Sequence, residues 1–189
     1  MKIAAHNYFH RRKSRAFHVA VATKKIRRRR DAHELAVEQT RDLPAVASML
    51  AAAGRFAEGV EAPGGCYLLA SVGPAVAGVI GIEARVDAAL VRSLFVTASM
   101  RRRAIGAALV TAARTAAHTR GARTLYALAA DAQVAAYLER FGFESSAMDT
   151  LLGALAGTFV VEYLRKRPDD LARYRALALD IAQDGVIVR

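Results

Sequence analysis

The stretch Arg101-Arg102-Arg103-Ala104-Ile105-Gly106 constrains the fold of this chain more than any other. It follows an apolar run, Leu90-Val91-Arg92-Ser93-Leu94-Phe95-Val96, and opens an alanine-rich segment that continues to about Arg120. A buried strand therefore feeds a basic turn that begins a helix. The first amides of a helix have no partners inside it and point toward whatever precedes it. The helix dipole adds partial positive charge at the same end. Small residues at Ala104, Gly106, Ala107 and Ala108 let a bulky anion approach the backbone, and the three arginines add formal charge. The amides from Arg101 through Ile105 to Ala108 thus read as a pyrophosphate site.

The rest of the composition narrows the setting. The chain has 189 residues, of which 54% are hydrophobic, enough for one domain with a full core. No apolar stretch approaches the roughly 18 residues that a membrane span needs. The single cysteine, Cys66, excludes an intrachain disulfide and a zinc site built on several thiolates, and no metal site is expected. It reads as a small core residue, compatible with a cytoplasmic setting. The net charge of +11 lies in one place. Residues 1–30 hold 11 of the 28 Lys and Arg and no acid, whereas the remainder is formally neutral. Three readings of this basic N-terminal extension (1–32) stay open: a solvated or loosely docked tail, a contact with nucleic acid or the ribosome, and a targeting segment.

The order of elements follows from periodicity. Glu34–Gln39 reads as a first strand. Asp42-Leu43-Pro44 starts a helix with a capping carboxylate and a proline in the first turn, and Gly54 ends it. A polar loop covers 55–65. Cys66–Val72, Val76–Ala84 and Ala88–Val96 are strands separated by short turns, an antiparallel meander. A helix runs from Ala104 to Arg120, a strand from Thr124 to Ala129, and a helix from Asp131 to Phe141. Asp149–Leu155 fits strand or helix. Thr158–Leu164 is rich in β-branched and aromatic residues and predicts a strand. Leu171, Tyr174, Leu177 and Ile181 predict a last helix beginning at Pro168.

This order, with the residues of the basic turn, resembles the GNAT acetyltransferase superfamily. The family signature is Gln/Arg-x-x-Gly-x-Gly/Ala at the start of the central helix. Here it reads Arg101-x-x-Ala104-x-Gly106, with alanine for the first glycine. Val96-Thr97-Ala98 lacks the proline that the family often carries, and Leu138-Glu139-Arg140-Phe141-Gly142-Phe143 matches its Gly-Phe helix end. The resemblance covers 34–145 well and 146–166 by topology. It implies an α/β (α+β) fold with a mixed, mostly antiparallel sheet flanked by helices. The expected organisation is a domain at 33–167, with a C-terminal helix and tail at 168–189. Short segments, Gly78–Glu83 and Leu90–Leu94, also look like the acetyltransferases of arsenic-resistance operons.

The resemblance implies acetyl-coenzyme A as co-substrate and direct transfer of its acetyl group to a primary amine of a small molecule or peptide. Arg101 to Ala108 would hold the pyrophosphate. The edge of the strand at Leu94, Phe95 and Val96 would pair with the pantetheine arm as an added strand, splayed from its neighbour at a bulge. Asp131 stands where the family often has an asparagine that touches that arm. The tyrosine that protonates the leaving thiolate would fall at Leu138, so either its neighbour Tyr137 substitutes or water does the work. Glu83 is the nearby strand carboxylate, a candidate base or amine anchor. Arg92 and Ser93 are candidate substrate contacts, Arg92 for an oxyanion. The acceptor pocket is expected from loops 55–65 and 145–158. A homodimer through the C-terminal helix is one further option. The contrasting reading is a catalytically degenerate protein that acts through its basic arm.

Overall fold

A computed structural model of the chain describes residues 34–182. Its strands are β1 (Leu35–Thr40), β2 (Gly65–Val72), β3 (Ala75–Arg85), β4 (Ala88–Val96), β5 (Thr124–Ala129), β6 (Glu144–Ser145) and β7 (Arg175–Asp180). Its helices are α1 (Leu43–Ala52), α2 (Ile105–Thr119), α3 (Ala132–Glu139), α4 (Met148–Ala154), α5 (Phe159–Arg165) and α6 (Pro168–Leu171). The basic extension, with every reading attached to it, lies outside the described residues.

The strands form one sheet in the order β1-β2-β3-β4-β5-β7-β6. Two-residue turns at Gly73-Pro74 and Val86-Asp87 make β2, β3 and β4 a meander, in register Val72↔Ala75 and Arg85↔Ala88. Only β4 and β5 run parallel, because α2 carries the chain across between them. Alternation then sorts the side chains into two layers. Ile80, Ile82, Ala89, Val91, Leu125 and Ala127 face α2 and α3, where buried alanines on α2 let the helix lie close to the sheet. On the opposite face α1 packs through Val46 and Leu50, and α4 and α5 pack through Leu151, Val160, Val161 and Leu164. Cys66 is buried in the core, where desolvation raises its thiol pKa and Arg120 partly offsets the rise.

Two expectations fail in the C-terminal third. Thr158–Leu164 is not a strand; Phe159–Arg165 is helical. Its buried residues, Val160, Val161 and Leu164, recur with the period of a helix face, and tertiary burial overrides β propensity. Nor does a long helix follow Pro168. Only α6, one turn, forms there, and the next segment enters the sheet as β7. The reason is a competing period. Leu177, Leu179 and Ile181 line one face of the sheet while Ala176 and Ala178 line the other. Residues 168–182 are therefore continuous with the sheet, with β7 seated between β5 and β6. A dimer built on a C-terminal helix has no such helix among the described residues.

Candidate functional site

The start of α2 is left unfinished by the protein itself. Its N-cap position is Ala104, which has no side-chain oxygen to accept from the helix amides. The first helical bond runs from the Ala108 amide to the Ala104 carbonyl, 3.0 Å, so the amides of Ile105, Gly106 and Ala107 precede the ladder. Arg102 and Ala104 both adopt left-handed backbone, at φ +62° and +61°. Backbone amides in a turn of this kind can converge on one point and make an anion-binding concavity. The left-handed state explains the family preference for glycine at position 104, since a Cβ there costs about 1–2 kcal/mol. Arg101 folds back to donate from Nε to the Val96 carbonyl at 3.3 Å, fixing the turn to the strand end.

That strand end is open. β4 pairs with β5 only from Ala88 to Val91. Beyond this the register with β3 shifts between Val79 and Gly81, and Ser93 takes φ +53°. A bulge of this kind bends the strand away from its neighbour. Leu94, Phe95 and Val96 are consequently half-buried, with no β5 partner. They line a cleft of about 490 Å³ together with Met100, Arg101, Arg102, Ala104, Ile105, Gly106, Arg55, Tyr137 and Arg140.

Tyr137 enters this cleft from α3. Leu138, at the position where the family has its tyrosine, points into the core instead. The Tyr137 ring stacks edge-on against Phe141, centroids 5.2 Å apart. A Cβ added at Gly106 would lie 2.5 Å from the Tyr137 hydroxyl, so glycine at 106 is what admits the phenol to the helix start. Burial raises the Tyr137 pKa above its ordinary value, and Arg140 partly offsets this. The phenol therefore holds its proton through neutral pH. Arg55 and Arg140 are cleft residues that sequence reading missed. They sit 46 and 39 positions from Arg101, whose turn carries no signal for either; for Arg140 the neighbouring Tyr137 was the available clue.

The other candidates lie elsewhere. Asp131 accepts from the Val134 amide at 2.8 Å and caps α3, and it does not line the cleft. Glu83 and Arg92 lie on the face opposite α2 and form a buried ion pair. The second Glu83 oxygen accepts from the Val160 amide at 3.1 Å. Arg92 also donates to the carbonyls of Glu58 and Gly59, at 2.5 and 3.3 Å, and Ser93 donates to that of Phe56 at 3.3 Å. The expectation of a free base at Glu83 meets a carboxylate with both oxygens engaged, and that of a bidentate oxyanion contact at Arg92 meets a guanidinium with both terminal nitrogens engaged. The hairpin turn holds the signal for this pair. Pairing Arg85 with Ala88 sets Arg92 opposite Gly81, diagonal to Glu83. Among the described residues there is no cluster of three or more His, Cys, Asp or Glu that could hold a metal, and no helix long and apolar enough to cross a membrane.

Comparison with known proteins bears on the family and the fold. Residues 29–143 match the model of the acetyltransferase (GNAT) family. No curated protein sequence matches the chain. Among solved structures, the N-acetylglutamate synthase of Neisseria gonorrhoeae, complexed with coenzyme A and N-acetyl-glutamate, superposes with a TM-score of 0.56 at 18% identity. The match covers 78% of this chain but 35% of that one, so the chain spans about a third of the synthase. An acetyltransferase of the GNAT family from Desulfovibrio desulfuricans superposes at 0.58, with 17% identity over 78% of this chain and 99% of that one. A GNAT acetyltransferase from Staphylococcus aureus gives 0.55, at 14% identity over 78% and 99%. Nothing in these comparisons supports the arsenic-operon likeness.

Proposed function

We propose that this chain, which belongs to the GNAT acetyltransferase family, is an N-acetyltransferase that moves the acetyl group of acetyl-coenzyme A to a primary amine of a small molecule or peptide. The observation that carries the reading is the uncapped start of α2 beside the open half of β4. The amides of Ile105, Gly106 and Ala107, with Arg101 and Arg102, would bind the diphosphate. The pantetheine amides would pair with Leu94, Phe95 and Val96 along the edge that β5 leaves free. Arg103 is exposed at the same turn and adds to its field.

The arm runs toward the point where β4 and β5 part, which sets the thioester at the bulge. A neutral amine attacks the thioester carbon, and a strand amide near Phe95 would stabilise the oxyanion. As the tetrahedral intermediate collapses, the carbon–sulfur bond breaks and the electron pair leaves on sulfur. Water protonates that thiolate, because the Tyr137 hydroxyl stands over Gly106 at the diphosphate end of the cleft. The amine proton passes to water, since Glu83 is engaged with Arg92 and Val160.

The experiment is a coenzyme A release assay over amino acids, polyamines, aminoglycosides and peptide N-termini, beside thermal stabilisation by acetyl-coenzyme A. Release with at least one class, together with stabilisation, supports the reading; neither effect overturns it. Tyr137→Phe should leave kcat within about threefold, because the hydroxyl lies at the diphosphate end of the cleft.

A further inference from the structure

We propose that Arg92 is a positioning residue that builds the acceptor side of the site, by latching the loop Phe56–Gly59 onto β4 where it parts from β5. The inference rests on the acetyl-transfer reading above. The loop begins next to Arg55, which lines the cleft with Leu94 and Phe95. It then crosses the sheet on the face opposite α2. Three of its carbonyls are taken by two consecutive β4 residues. Arg92 Nη2 and Nη1 hold those of Glu58 and Gly59, and Ser93 Oγ holds that of Phe56.

The guanidinium also lies 5.1 Å from the Phe56 ring and 5.9 Å from the Phe159 ring. Arg92 thus touches the loop and α5 together. Glu83 completes the junction, pairing with Arg92 through one oxygen and holding the Val160 amide of α5 through the other. One ion pair therefore joins β3, β4, the loop and α5. Gly81 makes room for it, because a Cβ there would lie 2.9 Å from Arg92 Cγ.

The junction is adjacent to Leu94, the first strand residue assigned to the thioester arm. Its elements wall the side from which an acceptor reaches the thioester. A planar fork of five donors can hold two carbonyls and a carboxylate at once, which an ammonium group cannot do in the same geometry. Glu83 then serves as the counter-ion of the latch. Among the described residues Arg92 bonds to Glu83, Glu58 and Gly59 and not to the turn at 101–106, so the two halves of the site separate experimentally.

The test uses the full chain. The double variant Glu83→Gln/Arg92→Met removes the latch without leaving one buried charge alone, and Ser93→Ala removes one of its bonds. Three quantities are measured: acetyl-coenzyme A affinity by calorimetry, hydrogen exchange at the amides of Phe56 to Gly59, and steady-state kinetics with the amine that releases coenzyme A fastest. Expected for the double variant are a Kd within twofold of wild type, loop exchange at least tenfold faster, and KM at least tenfold higher with kcat within threefold. Ser93→Ala should show the same pattern, about threefold. Arg92→Lys should not rescue the KM.

Unchanged loop exchange overturns the latch. So does a large fall in kcat at constant KM, which would put Glu83 or Arg92 at the reacting atoms. If the double variant does not fold, Ser93→Ala decides. Should the wild type bind no acetyl-coenzyme A, the acetyl-transfer reading fails, and loop exchange still decides whether Arg92 fastens the loop.

Discussion

α1 and α3 begin under a carboxylate, whereas α2 begins under nothing. Asp42 accepts from the Ala45 amide at 3.1 Å and Asp131 from the Val134 amide at 2.8 Å. Each carboxylate satisfies an amide and complements the local dipole, so those two ends are complete within the chain. α2 is the longest described helix, yet its N-cap is an alanine in left-handed backbone, flanked by arginines and lying at the end of an open strand. The short helices α4, α5 and α6 also lack a side-chain cap, so what sets α2 apart is the left-handed N-cap, the arginines and the open strand beside it, the combination that the proposed reading assigns to an anion. On the proposed reading, the strain at Ala104 and the unused amides serve binding, where the carboxylate caps of α1 and α3 serve stability.

That contrast can be broken by filling, converting or relieving each end. The largest effect is expected from Gly106→Trp. The indole would displace Tyr137 and fill the anion approach, so acetyl-coenzyme A binding should fall by more than 100-fold in calorimetry, with the circular dichroism spectrum of the fold retained. Ala104→Asp comes next, because it gives α2 the carboxylate that α1 and α3 carry. Acetyl-coenzyme A affinity should fall more than tenfold, while stability in urea rises by about 0.3–1 kcal/mol from the dipole.

The converse change, Asp131→Ala, uncaps α3. It should cost about 1 kcal/mol in urea and leave the cofactor affinity within twofold; a tenfold loss of affinity would instead assign Asp131 to the pantetheine arm. The smallest effect belongs to Ala104→Gly. Release of the left-handed strain should stabilise the fold by up to about 1 kcal/mol, with cofactor affinity unchanged or slightly improved.

The same contrast explains what could be read from sequence. The anion site is contiguous, six residues at a strand–helix junction, so its chemistry is visible in order of residues alone. The meander was legible because turns of two residues at Gly73-Pro74 and Val86-Asp87 separate clear apolar runs. The C-terminal third was not. Phe159–Arg165 has the composition of a strand and the burial of a helix, and only contact with β4 and β5 neighbours decides between them. In β7, alanine and leucine alternate with period two, while Leu171, Tyr174 and Leu177 happen to fall at helical spacing.

The site's non-contiguous members were harder still. Tyr137 stands beside the position, Leu138, where the family has its tyrosine, and its placement in the cleft depends on how α3 is rotated against the sheet. Arg55 arrives from the far end of α1, and the Glu83–Arg92 pair needs the β3–β4 register before the two side chains can be brought together.

The central claim is that a thioester carrier docks with its diphosphate on the start of α2 and its arm along the open half of β4. A crystal structure of the chain with coenzyme A tests this most directly. The account predicts phosphate oxygens within hydrogen-bonding distance of the Ile105, Gly106 and Ala107 amides, and pantetheine amides paired with the backbone of Leu94 to Val96. A carrier bound elsewhere, with those amides facing solvent or the protein's own side chains, would contradict it.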